Sequence, residues 1–64
     1  MDRKKFIEIM DKHIHDHEDV IINGFTFSEF DDYEIDYWNG DTVVIYKGDD
    51  ILVSFPLKII REVL

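Results

Sequence analysis

Residues 42–55 decide the fold, and they read TVVIYKGDDILVSF, from Thr42 to Phe55. Two runs rich in β-branched and aromatic residues flank a Gly48-Asp49-Asp50 turn sequence. This pattern predicts two antiparallel strands joined by a tight connection.

The segment that precedes the hairpin predicts a further strand. Tyr33, Ile35 and Tyr37 alternate with polar residues or Trp38, which is the period-two pattern of a strand with one buried face. Residues 39–41, Asn-Gly-Asp, then turn the chain back into Thr42.

Earlier in the chain, Val20–Ile22 and Phe25–Phe27 flank Asn23-Gly24. Asn-Gly suits a type I′ turn, so these residues predict a short hairpin. Residues 27–32 leave three possibilities open, because they are compatible with an extension of the hairpin, a turn or a helical turn.

Residues 2–17 have the spacing of an amphipathic helix, with Asp2 as the expected N-cap. The apolar stripe consists of Phe6, Ile7, Met10, Ile14 and His17. At the other end of the chain, Pro56 fits the first position of a short closing helix.

The predicted structure is a single α+β domain over residues 1–64. An N-terminal helix packs on a three- to four-stranded antiparallel meander, and a short C-terminal helix closes the fold. The expected core consists of Phe6, Met10, Ile14, Ile22, Phe25, Ile35, Val44, Leu52, Phe55 and Ile60.

Charge is sorted along the chain. The formal net charge is −8, and no lysine or arginine lies between Lys12 and Lys47. That interval contains nine acids: Asp16, Glu18, Asp19, Glu29, Asp31, Asp32, Glu34, Asp36 and Asp41. A negative field of this extent attracts basic partners and repels nucleic acid and anionic lipid. We therefore expect neither direct nucleic-acid binding nor membrane binding.

Composition limits the class of protein. At 45% hydrophobic residues the chain is too apolar for a disordered acidic tail, so it folds. It has no cysteine, which excludes disulfides and thiolate metal sites and fits a reducing compartment. No apolar run approaches the roughly 20 residues of a membrane span, and none has signal-peptide form, so a cytoplasmic protein is expected.

The histidines are the best candidates for metal ligands. On a helix, His13 and His17 would be i, i+4 neighbours able to share one metal ion; if the helix ended early, His13, His15 and His17 could instead line one face of an extended segment. The position of His13 and His17 at the border of the apolar stripe favours a structural role. Glu34 and Asp36 share one strand face, but catalysis by paired carboxylates requires a cleft that excludes water. We expect no catalytic residue, no cofactor and no metal, and the chain is not expected to be an enzyme.

Aromatic residues interleave with the acids, and exposed tryptophan is a typical interface anchor. The expected partner-binding residues are Glu29, Asp31, Asp32, Glu34, Asp36, Trp38 and Asp41. In charge, size and lack of a catalytic motif, the chain resembles the acidic DNA-mimic proteins of phages. That resemblance implies an inhibitor that occupies the basic groove of a nucleic-acid-handling protein of restriction, repair or CRISPR type.

A second hypothesis is a small adaptor or accessory domain. Its acids would then be solvating, and it would bind a protein partner, or a second copy of itself, through a sheet edge and an aromatic face. Salt dependence separates the two hypotheses, because contacts between exposed charges are screened whereas apolar contacts are not.

Overall fold

The computed structural model describes residues 1–64 and confirms the α+β class. The only α-helix, α1, spans Arg3–His15. The strands are β1 (Val20–Ile22), β2 (Phe25–Phe27), β3 (Asp32–Asp36), β4 (Thr42–Lys47) and β5 (Asp50–Pro56). Single 3-10 turns, Tyr37–Asn39 and Leu57–Ile59, follow β3 and β5.

The strands form two sheets: the predicted meander has three strands, and the first hairpin forms a separate sheet. β1 and β2 pair as an antiparallel hairpin, and β3, β4 and β5 form a three-stranded antiparallel sheet in that order. The break between the sheets falls at residues 28–31, which belong to no helix or strand. Glu29 has a positive φ of 58° there, which no extended strand accommodates.

Local capping sets both ends of α1. The Asp2 carboxylate accepts a hydrogen bond from the Lys4 backbone N–H at 3.2 Å, so the expected N-cap is confirmed. At the other end, the Glu18 N–H donates to the His13 carbonyl and the His17 N–H to the Ile14 carbonyl, a Schellman motif. His17 occupies the left-handed position of that motif with φ 54°, so the helix ends before it.

The predicted C-terminal helix is reduced to the single turn Leu57–Ile59. The chain then runs extended beside β1, where Ile21 and Leu64 exchange two backbone hydrogen bonds of 3.1 and 2.9 Å. A short isolated helix is marginal in water, whereas the open edge of β1 offers a ready set of donors and acceptors. Pairing with that edge therefore replaces the helix.

Asn23 joins the β1–β2 turn to this C-terminal segment. Asn23 and Gly24 both have positive φ, 50° and 84°, as a type I′ turn requires. The Asn23 side chain also donates to the Ile59 carbonyl at 3.0 Å and accepts from the backbone N–H groups of Arg61 and Glu62. One residue thus makes the turn and fixes the chain terminus.

The core lies between α1, the hairpin and the inner face of the three-stranded sheet. Its buried residues are Phe6, Met10, Val20, Ile22, Ile35, Val43, Ile45, Leu57, Ile60 and Val63. Phe6 meets Tyr33 edge to face, with ring centroids 5.8 Å apart, and this contact seats α1 on β3.

Five of the ten expected core positions are fully buried, and three others are clearly misplaced. Val43 and Ile45 face the core, so Val44 between them lies on the outer face. Leu52 is the extra residue of an irregularity in the β4–β5 register and is 42% exposed. Phe25 is 72% exposed, because no further strand or helix covers β2.

Ile14 and Phe55 are half-buried at the margin of the core. Phe55 packs against the core from the edge strand β5, where cover is incomplete, and Ile14 lies near the end of α1. The helix stripe therefore enters the core mainly through Phe6 and Met10.

Candidate functional site

β3 carries three of the expected partner-binding acids side by side on one face. Asp32, Glu34 and Asp36 alternate with Tyr33 and Ile35, which pack toward the core. Because α1 contacts the Tyr33 side of the sheet, the three carboxylates lie on the opposite, outer face. Strand rise separates neighbours in this acidic row by about 6.6 Å.

Tyr46 of β4 lies on the same outer face and responds to all three acids of the row. Its hydroxyl donates a hydrogen bond to a Glu34 carboxylate oxygen. That bond, followed by partial desolvation and by the negative charges of Glu34, Asp32 and Asp36, raises the pKa of Tyr46 above its ordinary value. In the β3–β4 register Tyr46 stands opposite Asp32, so its hydroxyl lies beside the Asp32–Glu34 end of the row, and Asp36 stands at the other end, opposite Thr42.

Backbone contacts hold the two outer members of the row. Asp32 accepts from the Tyr33 N–H at 2.7 Å, and Asp36 accepts from the Trp38 N–H at 3.1 Å as the N-cap of the first 3-10 turn. The chain contains two salt bridges, and neither involves an acid of the row. All three charges consequently face outward without a cationic partner.

Glu29 and Asp31 form a second acidic group beside the β4–β5 turn. Glu29 pairs with the Lys47 ammonium at 3.0 Å, and this contact raises the pKa of Lys47. Asp31 accepts from the Gly48 N–H at 2.5 Å and ties residues 28–31 to the turn. Glu29 and Asp31 both line a cleft that also contains Lys47 and the histidines near the end of α1, so they lie apart from the row on the outer face of the sheet.

Asp41 is separated from the row by its contact with α1. Both its carboxylate oxygens lie 3.0 Å from one guanidinium nitrogen of Arg3, whose pKa is raised by this hydrogen bond. The same guanidinium lies 4.5 Å from the centroid of the Tyr37 ring. These contacts explain why a cation occupies the first turn of α1, where the helix dipole disfavours it.

Trp38 follows the acidic row directly and is fully exposed, at 101% of the reference area. Its neighbour Tyr37 is 55% exposed. Both belong to the 3-10 turn that Asp36 caps, so the row ends in an aromatic side chain held on a defined turn. A large exposed aromatic beside fixed charges is a typical feature of protein-binding surfaces.

The histidines do not take up the helical i, i+4 arrangement that the sequence suggested, because α1 ends before His17. Nδ1 of His13 lies 2.8 Å from the Ile9 carbonyl within the helix. His13 and His17 line a polar cleft of about 420 Å³ together with Glu18, Asp19 and other residues. No three histidine, aspartate or glutamate side chains are grouped so that they could hold a metal ion.

An apolar groove of about 420 Å³ lies between the hairpin and β5, and the sequence interpretation missed it. Its hydrophobic lining consists of Ile22, Phe25, Phe27, Leu52, Val53, Phe55 and Ile59. A domain of this size buries only about 60% of its unfolded surface, so a chain with 45% hydrophobic residues necessarily leaves apolar area exposed. The high hydrophobic content of so short a chain was therefore a sign in the sequence that apolar surface is exposed, but it does not indicate where that surface lies.

The chain matches no protein-family model, no curated protein and no solved structure. Its single α-helix is too short and too polar to cross a membrane.

Proposed function

We propose that this chain is a non-enzymatic protein-binding inhibitor. It docks the outer face of its three-stranded sheet into the basic groove of a nucleic-acid-handling protein. One observation carries the proposal: Asp32, Glu34 and Asp36 stand in a row on the outer face of β3, and none of them is in a salt bridge. Trp38 at the end of the row supplies an apolar anchor for the same interface.

The spacing of the acids in the row determines the spacing of positive charges that a partner would need. Phosphates follow one another every 3.4 Å along a DNA strand, whereas acids on alternate residues of β3 are about 6.6 Å apart. The row therefore corresponds to every second phosphate. A partner suited to it holds arginine or lysine side chains at that wider spacing.

The proposal is tested with two variants of equal charge. The row variant is D32N/E34Q/D36N, whose amides keep the hydrogen-bond acceptors of the row. The control variant is E8Q/D16N/E18Q, which removes three charges from exposed positions on or just after α1. Each variant and the wild type are immobilised, and nucleic-acid-binding proteins captured from bacterial lysate at low salt are identified and their affinities measured.

We expect the row variant to bind the captured protein at least tenfold more weakly, since three exposed charge contacts contribute about 0.5 kcal/mol each. The control should keep wild-type affinity, and wild-type binding should weaken steeply with added salt and compete with DNA. Equal losses of affinity in both variants would mean that binding depends on net charge and not on the position of the row. Unchanged affinity in both variants would mean that these acids are not part of the interface.

The adaptor hypothesis is favoured by a different observation, the apolar groove between the hairpin and β5. Contiguous exposed apolar area on a small soluble protein is a sign of a binding surface. Capture that survives high salt and is lost on substitution of Phe25 would support this second function.

A further inference from the structure

We propose that two copies of this chain associate through the apolar groove, as a two-fold dimer in which the β5 strands lie antiparallel to each other. The proposal uses a surface separate from the acidic row, so it stands or fails independently of the inhibitor function. It is based on the open strand edges, the groove lining and the charges at the two ends of β5.

The groove lies between two unpaired strand edges. β2 is the outer strand of the hairpin and β5 is an outer strand of the three-stranded sheet, and neither pairs with a further strand on its free side. The groove leaves Phe25, Leu52 and Ile59 exposed by 72%, 42% and 49%. Free edges beside apolar side chains are the usual place for a second chain to add.

The two ends of β5, which borders the groove, carry opposite charges. Asp49 and Asp50 lie at its start, and Lys58 and Arg61 lie beyond its end at Pro56, about 20 Å away along the strand. None of the four is in a salt bridge within the chain. Glu62 next to Arg61 offsets part of the positive charge at that end. An antiparallel second copy places each basic end against the acidic end of its partner, and this complementarity identifies the occupant as the same chain.

The size of the molecule is compatible with such a dimer. A stable interface buries about 800 Å² on each partner, which is roughly a sixth of the 4559 Å² surface of this chain. The irregularity at Leu52 interrupts any backbone ladder between the two β5 strands. Packing of Phe25, Leu52 and Ile59 across the two-fold axis therefore supplies most of the contact.

The dimer leaves the acidic rows accessible. β3 lies at the opposite edge of its sheet from β5, so the two rows stand at the two outer edges of the assembly. A partner with two basic grooves would then be bound through both copies, with a gain in avidity.

The oligomeric state is measured by sedimentation equilibrium, from about 1 to 500 μM, the range in which dimers of micromolar Kd assemble. We expect the mass to rise with concentration from the 7.7 kDa of the monomer to twice that value. The Phe25→Ser variant should stay monomeric while retaining the wild-type circular dichroism spectrum, because its side chain is outside the core.

Charge exchange tests the antiparallel arrangement. One variant, D49K/D50K, has two basic ends, and the other, K58E/R61E, has two acidic ends; all four positions are exposed. Each variant alone should remain monomeric through repulsion of like charges. An equimolar mixture should form a heterodimer, because every contact between the ends then joins opposite charges.

Three outcomes would overturn the proposal. A wild type that is monomeric throughout the concentration range would show that the groove does not bind a second copy of the chain. A wild-type dimer that persists in Phe25→Ser would place the interface elsewhere. A mixture of the two charge variants that fails to associate, when the wild type does, would exclude the antiparallel arrangement.

Discussion

The side chain of Tyr33, which packs against the core, links the stability of the fold to pH. Burial raises the pKa of its phenol above the ordinary value of 10.0, and a 2.8 Å hydrogen bond to the Asp11 carboxylate raises it further. Folding therefore favours the protonated phenol. The stabilisation this provides is complete below pH 10 and is lost as the pH rises through the higher pKa of the folded state.

We expect the free energy of unfolding of the wild type to fall above about pH 10, as the phenol of the unfolded chain ionises. The Tyr33→Phe variant should be about 1 kcal/mol less stable at neutral pH, since it lacks the bond to Asp11. Its stability should then decline less between pH 9 and about pH 11. Urea unfolding across this range measures both slopes, and parallel slopes would show that Tyr33 does not couple folding to pH.

At the residue scale, sequence pattern predicted the inward face of β3 but not that of β4. Tyr33 and Ile35 alternate with acids, so their side of the strand was determined by the pattern. The run Val43-Val44-Ile45 is apolar throughout and carries no such alternation. Its inward face depends on its register with β3, which places Ile45 opposite Tyr33 and Val43 opposite Ile35.

At the element scale, Asn23 provides a test of how the two ends of the chain are joined. Asn23→Gly keeps a residue that tolerates the positive φ of the turn but removes three hydrogen bonds to residues 59–62. We expect a loss of about 1–2 kcal/mol in the free energy of unfolding, because the bonds lie at the surface.

Hydrogen exchange locates this effect. The amides of Ile21 and Leu64, each of which donates to the other's carbonyl, should exchange faster in Asn23→Gly than in the wild type. Amides in the β4–β5 ladder should lose protection only to the extent that global stability falls. Equal acceleration everywhere would mean that Asn23 supports the whole fold and not the C-terminal segment in particular.

Elements with local signals were predicted from sequence, and those that depend on distant partners were not. The N-cap at Asp2 and the Asn23-Gly24 turn are specified within a few residues, and both are confirmed. The C-terminal segment has a helical stripe, but its structure is decided by the open edge of β1, some 40 residues earlier in the chain. The break into two sheets has the same origin, since residues 28–31 are held by contacts to β4 and its turn.

At the scale of the whole molecule, the acidic row was predictable and its separation from the other acids was not. Period-two spacing alone places Glu34 and Asp36 on one face. The pairing of Asp41 with Arg3 spans 38 residues and that of Glu29 with Lys47 spans 18, so neither follows from local pattern. Folding thus reduces the continuous acidic stretch of the sequence to a smaller surface centred on β3.

The remaining excess of negative charge makes stability depend on salt. The molecule measures 27 × 24 × 19 Å, so at 0.01 M salt, where the Debye length is about 30 Å, each charge acts on nearly all others. At 0.15 M the Debye length is about 8 Å, and repulsion is confined to neighbours. Exposed salt bridges contribute little, so screening removes more repulsion than attraction. Salt should therefore stabilise the fold.

We expect the free energy of unfolding in urea to rise between about 0.01 and 0.15 M sodium chloride. The measurement uses Phe25→Ser as background, so that self-association does not contribute. Adding E8Q/D16N/E18Q to that background removes three of the fifteen acids and should flatten the dependence. A stability that falls with salt would mean that the pairs Arg3–Asp41 and Lys47–Glu29 outweigh the net repulsion.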